Sequence, residues 1–315
     1  MKLFVTAENP VPVGAMAHEV ITADGIHLRA VVARQTGAGG TIFVLNGRSE
    51  YCERYFEFMR EMMARGLAVV SFDWRGQGAS QRLLKDPMRG YIRNYADYDK
   101  DLEAVVALAQ RLDFPEPFYA IAHSTGGQVL LRNLRDKKWF KRAVIAAPLL
   151  GFHLGNWPRT IVNILNFLAL ITRLDGAYLP GFNRGPLLRS EFSNNPLTSD
   201  RGRWNRDMST LEKYPQLGVG GPTYAWLRAT LKSFAELYRW PRGRGPTCPT
   251  MVVLAGQDQV VNNVDARRFF ETVPGFSVLT IANSKHEIIM ENNAIRDKFL
   301  AAFDVFMELG PKPIT

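Results

Sequence analysis

The stretch Phe118-Tyr-Ala-Ile-Ala-His-Ser-Thr-Gly-Gly127 decides the reading of this 315-residue chain. A short apolar run meets a turn of small residues and then opens onto a helical pattern, which is how a serine is lifted out of the end of a strand. Such a turn brings the residues two before and two after the serine together, with room for a methyl group at most. Ala122 and Gly126 occupy those positions around Ser124. Read alone, Ser124 also suits an ordinary helix N-cap, so its meaning depends on partners elsewhere in the chain.

Outward from this turn, short apolar runs alternate with helical patterns. Strands are expected at residues 41–45, 67–73, 118–122 and 143–146, with helices at 50–65, 95–112 and 126–135 between and after them. Alternation of this kind implies right-handed βαβ units and a parallel sheet. Ahead of it, Ala23-Asp24-Gly25 between two apolar runs, 18–22 and 26–33, signals an antiparallel hairpin. The rhythm stops after Pro148 and resumes with a strand at 250–255, a helix at 265–272, a strand at 276–281 and a last helix at 292–309. The expected fold is therefore α/β: a mostly parallel twisted sheet with helices on both faces. Its core is formed by residues 1–149 and 246–315, interrupted by a mainly helical insert at 150–245.

In an open parallel sheet the ligand site lies beyond the carboxyl ends of the strands. Three chemically suited residues fall there: Ser124, Asp258 after the strand ending at Ala255, and His286 after the strand ending at Ile281. A serine hydroxyl becomes a useful nucleophile when a neutral imidazole takes its proton, and a carboxylate holds that imidazole in the working tautomer. His286 is the expected base and Asp258 its orienting partner. Two backbone N–H groups would stabilise the oxyanion, one at Thr125 and one at Arg48 in the loop Leu45-Asn-Gly-Arg-Ser-Glu50. Asn46 and Gly47 of the same loop are expected beside the substrate.

Composition narrows the field further. Two cysteines, Cys52 and Cys248, make no disulfide framework, and no Cys/His cluster has zinc spacing. A reducing compartment is expected, with Cys52 a buried structural thiol and no metal or cofactor. Gly76-Gln-Gly78 starts a dinucleotide-like string that fails at Gln81, and Met290 stands where a metalloprotease helix would need histidine. The first residues lack the apolar core of a signal peptide, and residues 161–171, the longest apolar stretch, fall short of a membrane span. Charge is unevenly placed: the insert holds thirteen basic and six acidic residues, +7 of the whole chain's +9. Such a charge reads either as a solvated cationic face or as a contact surface for anionic lipid or phosphate head groups, and no nucleic-acid motif accompanies it.

Taken together, Asn46-Gly-Arg-Ser-Glu50, Asp73-Trp-Arg-Gly-Gln-Gly-Ala-Ser80, Ala122-His-Ser-Thr-Gly-Gly127, Gly256-Gln-Asp258 and His286 resemble the monoglyceride-lipase-like branch of the α/β-hydrolase superfamily. The strings Arg75 to Pro87 and Pro215 to Trp226, with Lys285-His-Glu-Ile288, resemble more closely the bacterial lysophospholipases of the PldB type. The resemblance runs from about residue 10 to about residue 310. It implies a catalytic triad of Ser124, Asp258 and His286, oxyanion donors at Arg48 and Thr125, and a lid formed by the insert. Two positions depart from the wider family: Asn46 replaces a usual histidine and Thr125 a common methionine. The implied function is a serine hydrolase of single-chain lipid esters, lysophospholipids first, acting in the cytoplasm or at the inner face of a membrane. Monoacylglycerol lipase or general carboxylesterase is the nearest alternative. A proline-type aminopeptidase and a non-catalytic lipid-binding protein rank below it.

Overall fold

The computed structural model describes residues 1–152, 172, 174–185 and 191–309. Its frame is one sheet of eight strands in the order β1-β2-β4-β3-β5-β6-β7-β8. The strands are β1 (Met16–Ile21), β2 (His27–Ala33), β3 (Thr41–Leu45), β4 (Ala68–Phe72), β5 (Phe118–His123), β6 (Arg142–Ala146), β7 (Thr250–Ala255) and β8 (Phe276–Ile281). Pairings β1/β2 and β2/β4 are antiparallel, and all the others are parallel. The hairpin turns where expected: Gly25 takes a left-handed φ of 79°, and the Thr22 hydroxyl donates to Asp24 at 2.6 Å.

Strands β3, β4, β5 and β7 are buried along their whole length. That is why they read as unbroken apolar runs: each is covered on both faces. Alternate residues divide between the two layers. Phe43 and Leu45 face one core with α2 (Asp97–Arg111) and α3 (Thr125–Asn133). Ile42 and Val44 face the other, with α1 (Phe56–Ala64) and the C-terminal helix Asn293–Met307. The helix expected from residue 50 begins as a 3-10 turn at Cys52–Tyr55 and becomes α-helical at Phe56. Other element ends lie within about two residues of expectation, the usual scatter of frayed termini.

Within the insert, α4 (Arg201–Lys213) is capped by Asp200, whose side chain accepts from Arg203 N–H. Helix α5 (Tyr224–Leu237) is capped in the same way by Thr223. The insert does not keep a core to itself. Trp226, Ala229, Phe234 and Leu237 belong to the same apolar cluster as β3 and α2, while Trp204 and Leu211 pack with Phe4 and Tyr51. Insert aromatics Trp204 and Trp226 are thus packing residues that face the core; Trp157, Phe167 and the apolar run 161–171 lie outside the described residues. After β7 come α6 (Asn263–Thr272) and, after β8, α7 (Asn293–Met307). Among the described residues no helix is long and apolar enough to cross a membrane.

The elbow after β5 is where packing is tightest. A Cβ on Gly126 would sit 2.5 Å from the Leu45 carbonyl oxygen and 2.6 Å from that of Asn46. Both atoms are backbone and cannot swing aside. Gly126→Ala is expected to destabilise the protein by about 1–3 kcal/mol, the usual cost of overpacking; denaturant unfolding measures it, and an unchanged midpoint would contradict the close approach.

Candidate active site

Ser124 sits between the end of β5 and the start of α3 with φ 50° and ψ −111°. A non-glycine residue pays about 1–3 kcal/mol to hold such a backbone, so its surroundings must impose it. They do so through hydrogen bonds: Ser124 N–H donates to Ala146 O at 3.1 Å, and its carbonyl accepts from Gln128 N and Leu149 N, both at 3.1 Å. Thr125 opens α3, and the first amides of a helix have no partner within it.

His286 follows β8 in a loop and is buried. Its Nδ1 lies 2.8 Å from Asp258 Oδ2, and Asp258 Oδ1 accepts from Val260 N at 2.8 Å and Val261 N at 2.9 Å. The carboxylate is thereby held by its own loop while it orients the ring. Across the ring stands His123, the residue before the serine, with centroids 4.7 Å apart. The imidazole of His286 is thus packed beside the elbow. Burial pulls the His286 pKa down, but the Asp258 charge and hydrogen bond outweigh it and leave the pKa above the ordinary histidine value. Burial alone would raise the Asp258 pKa; the His286 pairing lowers it on balance. His123 has no such partner, and burial together with the neighbouring His286 pushes it down to about 3, so it stays neutral.

The loop after β3 is tied at nearly every point. Gly47 N–H donates to the Glu50 carboxylate, Ser49 N–H to the Gln77 side chain, and Trp74 Nε1 to Asn46 O at 2.7 Å. Arg48 N–H, between two committed amides, has no acceptor among the described residues. The Asn46 side chain, expected beside the substrate, is instead fully buried: it donates to Phe72 O at 3.0 Å and accepts from Ser71 at 3.2 Å. Gly47, expected there too, has its N–H spent on Glu50. The motif at residues 73–80 braces neighbouring segments. Its work is local: Asp73 accepts from Cys52 N at 2.9 Å and Arg29 Nε at 2.8 Å, and Gln77 fixes Ser49.

A buried charge cluster supports these loops, and no motif announced it. Arg54 places Nη1 3.4 Å from Glu50 and Nη2 2.7 Å from both Asp207 of α4 and Glu287, the neighbour of His286. Glu287 N–H also donates to Leu197 O of the insert at 2.8 Å. Glu50, His123 and Glu287 bring ligand atoms within 4.8 Å of one another, a spacing that could suit a metal ion. The Arg54 guanidinium already lies on both carboxylates, so the cation of this cluster is an arginine. Cys52 is buried with its pKa raised by desolvation, as a structural thiol should be.

Residues 37–293 match the Hydrolase_4 family, described as serine aminopeptidase, S33. The chain belongs to this family. Among named relatives, lysophospholipase L2 of Escherichia coli (strain K12) is 30% identical over 307 residues, covering 94% of this chain and 88% of the relative. Probable lysophospholipase L2 of Haemophilus influenzae is 24% identical over 285 residues, covering 89% and 88%. In fold, the chain is similar to a soluble variant of monoglyceride lipase from Saccharomyces cerevisiae, with TM-score 0.68, 16% identity and coverage of 98% and 99%. It is also similar to a thermostable carboxyl esterase from Bacillus coagulans, with TM-score 0.70, 14% identity and coverage of 94% and 98%. The expected α/β-hydrolase fold and serine hydrolase class both stand.

Two measurements probe this geometry. If neutral His286 accepts a proton, activity is lost as pH falls through its pKa; because that pKa is raised, the acid limb of kcat/KM should lie above about pH 6.5. Asp258→Asn should move the limb down and cut kcat by about 10³–10⁴. Arg54→Met would strand three buried carboxylates, and chemical unfolding should register a loss of about 3–5 kcal/mol.

Proposed function

We propose that Ser124, His286 and Asp258 act as nucleophile, base and orienting carboxylate, and that the protein hydrolyses the acyl ester of a single-chain glycerolipid, lysophospholipids first. One observation carries the reading: His286 is bonded to Asp258 at 2.8 Å while its ring packs on His123, the residue before a serine held at φ 50°. Ser124 Oγ attacks the ester carbonyl carbon as its proton passes to the free imidazole nitrogen. The oxyanion takes hydrogen bonds from the N–H groups of Thr125 and Arg48. Collapse breaks the bond to the glycerol oxygen, which leaves with the proton from His286. Water then attacks the acyl-enzyme with His286 again as base, releasing the fatty acid and Ser124.

The substrate class draws support from the lysophospholipase L2 relatives and the basic insert. We read residues 150–245 as a lid over this site, since Asp207 from α4 reaches Arg54 and Trp226 from α5 lies against Arg48. Exposed cations on this part of the chain, such as Arg184 and Lys232, suit contact with anionic lipid headgroups. Work at the cytoplasmic face of a membrane agrees with two buried free cysteines. A monoacylglycerol lipase is the second reading, favoured by the similarity to the yeast monoglyceride lipase.

Ser124→Ala should abolish hydrolysis of p-nitrophenyl esters and labelling by a fluorophosphonate while leaving the unfolding midpoint near that of wild type; retained turnover would demand another nucleophile. On vesicles containing anionic lipid, raising salt from low to moderate concentration should slow turnover. An unchanged rate would remove the electrostatic part of the lid reading.

A further inference from the structure

Arg48 is a largely buried cation with no counter-charge among the described residues. Its guanidinium carbon lies 5.2 Å from the centre of the Trp226 ring, and Nη2 donates to Gly220 O at 2.6 Å. Nε is buried with no partner among the described residues. Other buried arginines are paired: Arg29 with Glu53 and Asp73, Arg54 with Glu50, Asp207 and Glu287, and Arg75 with Asp24 and Asp101. Among the described residues no carboxylate acts on Arg48, and burial lowers its pKa to about 10. The segments outside the described residues contain no Asp or Glu in their sequence.

An arginine used only as a brace looks different. Arg82 makes no ion pair among the described residues and feels only the charge of Asp73, but it spends its guanidinium on the carbonyl oxygens of Gly76, Gly78, Pro87, Gln216 and Gly218. Arg48 makes one such bond, and its Nη1 donates to nothing among the described residues while the residue stays partly exposed. Desolvating a cation is costly, and leaving its donors unmade adds to the cost. A site that tolerates both is preorganised for an anion. A flat guanidinium held against an aromatic ring offers paired N–H groups that match phosphate oxygens.

Building on the lysophospholipid reading, we propose that the Arg48 side chain binds the phosphodiester of the substrate headgroup while its backbone N–H serves the oxyanion of the same molecule. In a lysophospholipid the glycerol carbons separate the scissile ester from the phosphate. An arginine side chain separates its own amide from its guanidinium by a comparable length. One residue therefore measures the distance that distinguishes a lysophospholipid from a monoacylglycerol, whose third glycerol oxygen carries no phosphate. Closure of Trp226 and Gly220 over Arg48 places this contact under the insert.

The test compares full-length wild type, Arg48→Lys and Arg48→Met on lysophosphatidylcholine and on monoacylglycerol with the same acyl chain, each in neutral-detergent micelles. The readout is the ratio of the two kcat/KM values, so that any general disturbance of the loop cancels. Arg48→Met should lower the ratio about 10- to 100-fold, the size expected for losing hydrogen bonds to a charged group, and Arg48→Lys should restore part of it. Equal losses on both substrates would make Arg48 a brace for Gly220 and Trp226 and overturn the proposal, as would no loss on either. A second arm measures inhibition of p-nitrophenyl butyrate hydrolysis by glycerophosphocholine and by inorganic phosphate. Inhibition by glycerophosphocholine in wild type, weakened in Arg48→Met, is expected; its absence in wild type overturns the site. Inorganic phosphate inhibiting equally well would assign the site to a free anion and overturn the headgroup contact. Wild type that reacts with a fluorophosphonate yet spares lysophosphatidylcholine would refute the lysophospholipase reading, and the inhibition arm would then judge Arg48 by itself.

Discussion

The constraint on which the site depends is the left-handed backbone of Ser124. Its cost of about 1–3 kcal/mol is small beside the packing that enforces it. Strand β5 is buried from end to end, Gly126 lets α3 come up against the carbonyls of Leu45 and Asn46, and the Ser124 backbone is bonded to Ala146, Gln128 and Leu149. No single contact holds the turn. Through it a buried strand passes into a helix that comes up against the neighbouring strand's loop. The hydroxyl is therefore aimed by the sheet, and the loop that carries Arg48 is pressed against the same place.

Around this turn the chain buries several charged groups. Three carboxylates converge on Arg54, and two more on Arg29. Replacing such clusters with apolar groups is often neutral or stabilising, so stability is a weak reason for them. Their geometry suggests what they do instead. Glu50 belongs to the loop after β3, Glu287 adjoins His286, and Asp207 comes from the insert, so one guanidinium relates three segments far apart in the chain. A charge network tolerates little sliding, because each displaced partner would be left unpaired in a medium where that is costly. Hydrophobic packing between the same segments would permit more play.

The imidazole illustrates how two neighbours of one type are given opposite properties. His286 and His123 are both buried and stand 4.7 Å apart, yet one has its pKa raised and the other driven to about 3. Asp258 makes the difference: a carboxylate at 2.8 Å favours the charged form that burial disfavours. His123 faces Glu50 only at 3.5 Å without a hydrogen bond, and it remains a neutral packing partner.

Sequence by itself determined the strands, their order of chemistry and the candidate triad, because those signals are local. Buried parallel strands must be apolar throughout, an elbow must be flanked by small residues, and the residue after a strand end is fixed by the strand. Ser124, Asp258 and His286 were legible as candidates for that reason. Asn46 was not: its amide is consumed by Phe72 and Ser71, a consequence of β3 lying beside β4 that its own neighbours in sequence cannot reveal. Nor could the chain order disclose that Arg54 joins Glu50, Asp207 and Glu287, or that no acid among the described residues meets Arg48. Charge pairing over such separations depends on which surfaces the sheet and insert bring together, and a residue's need for a partner becomes visible only once water has been taken away from it.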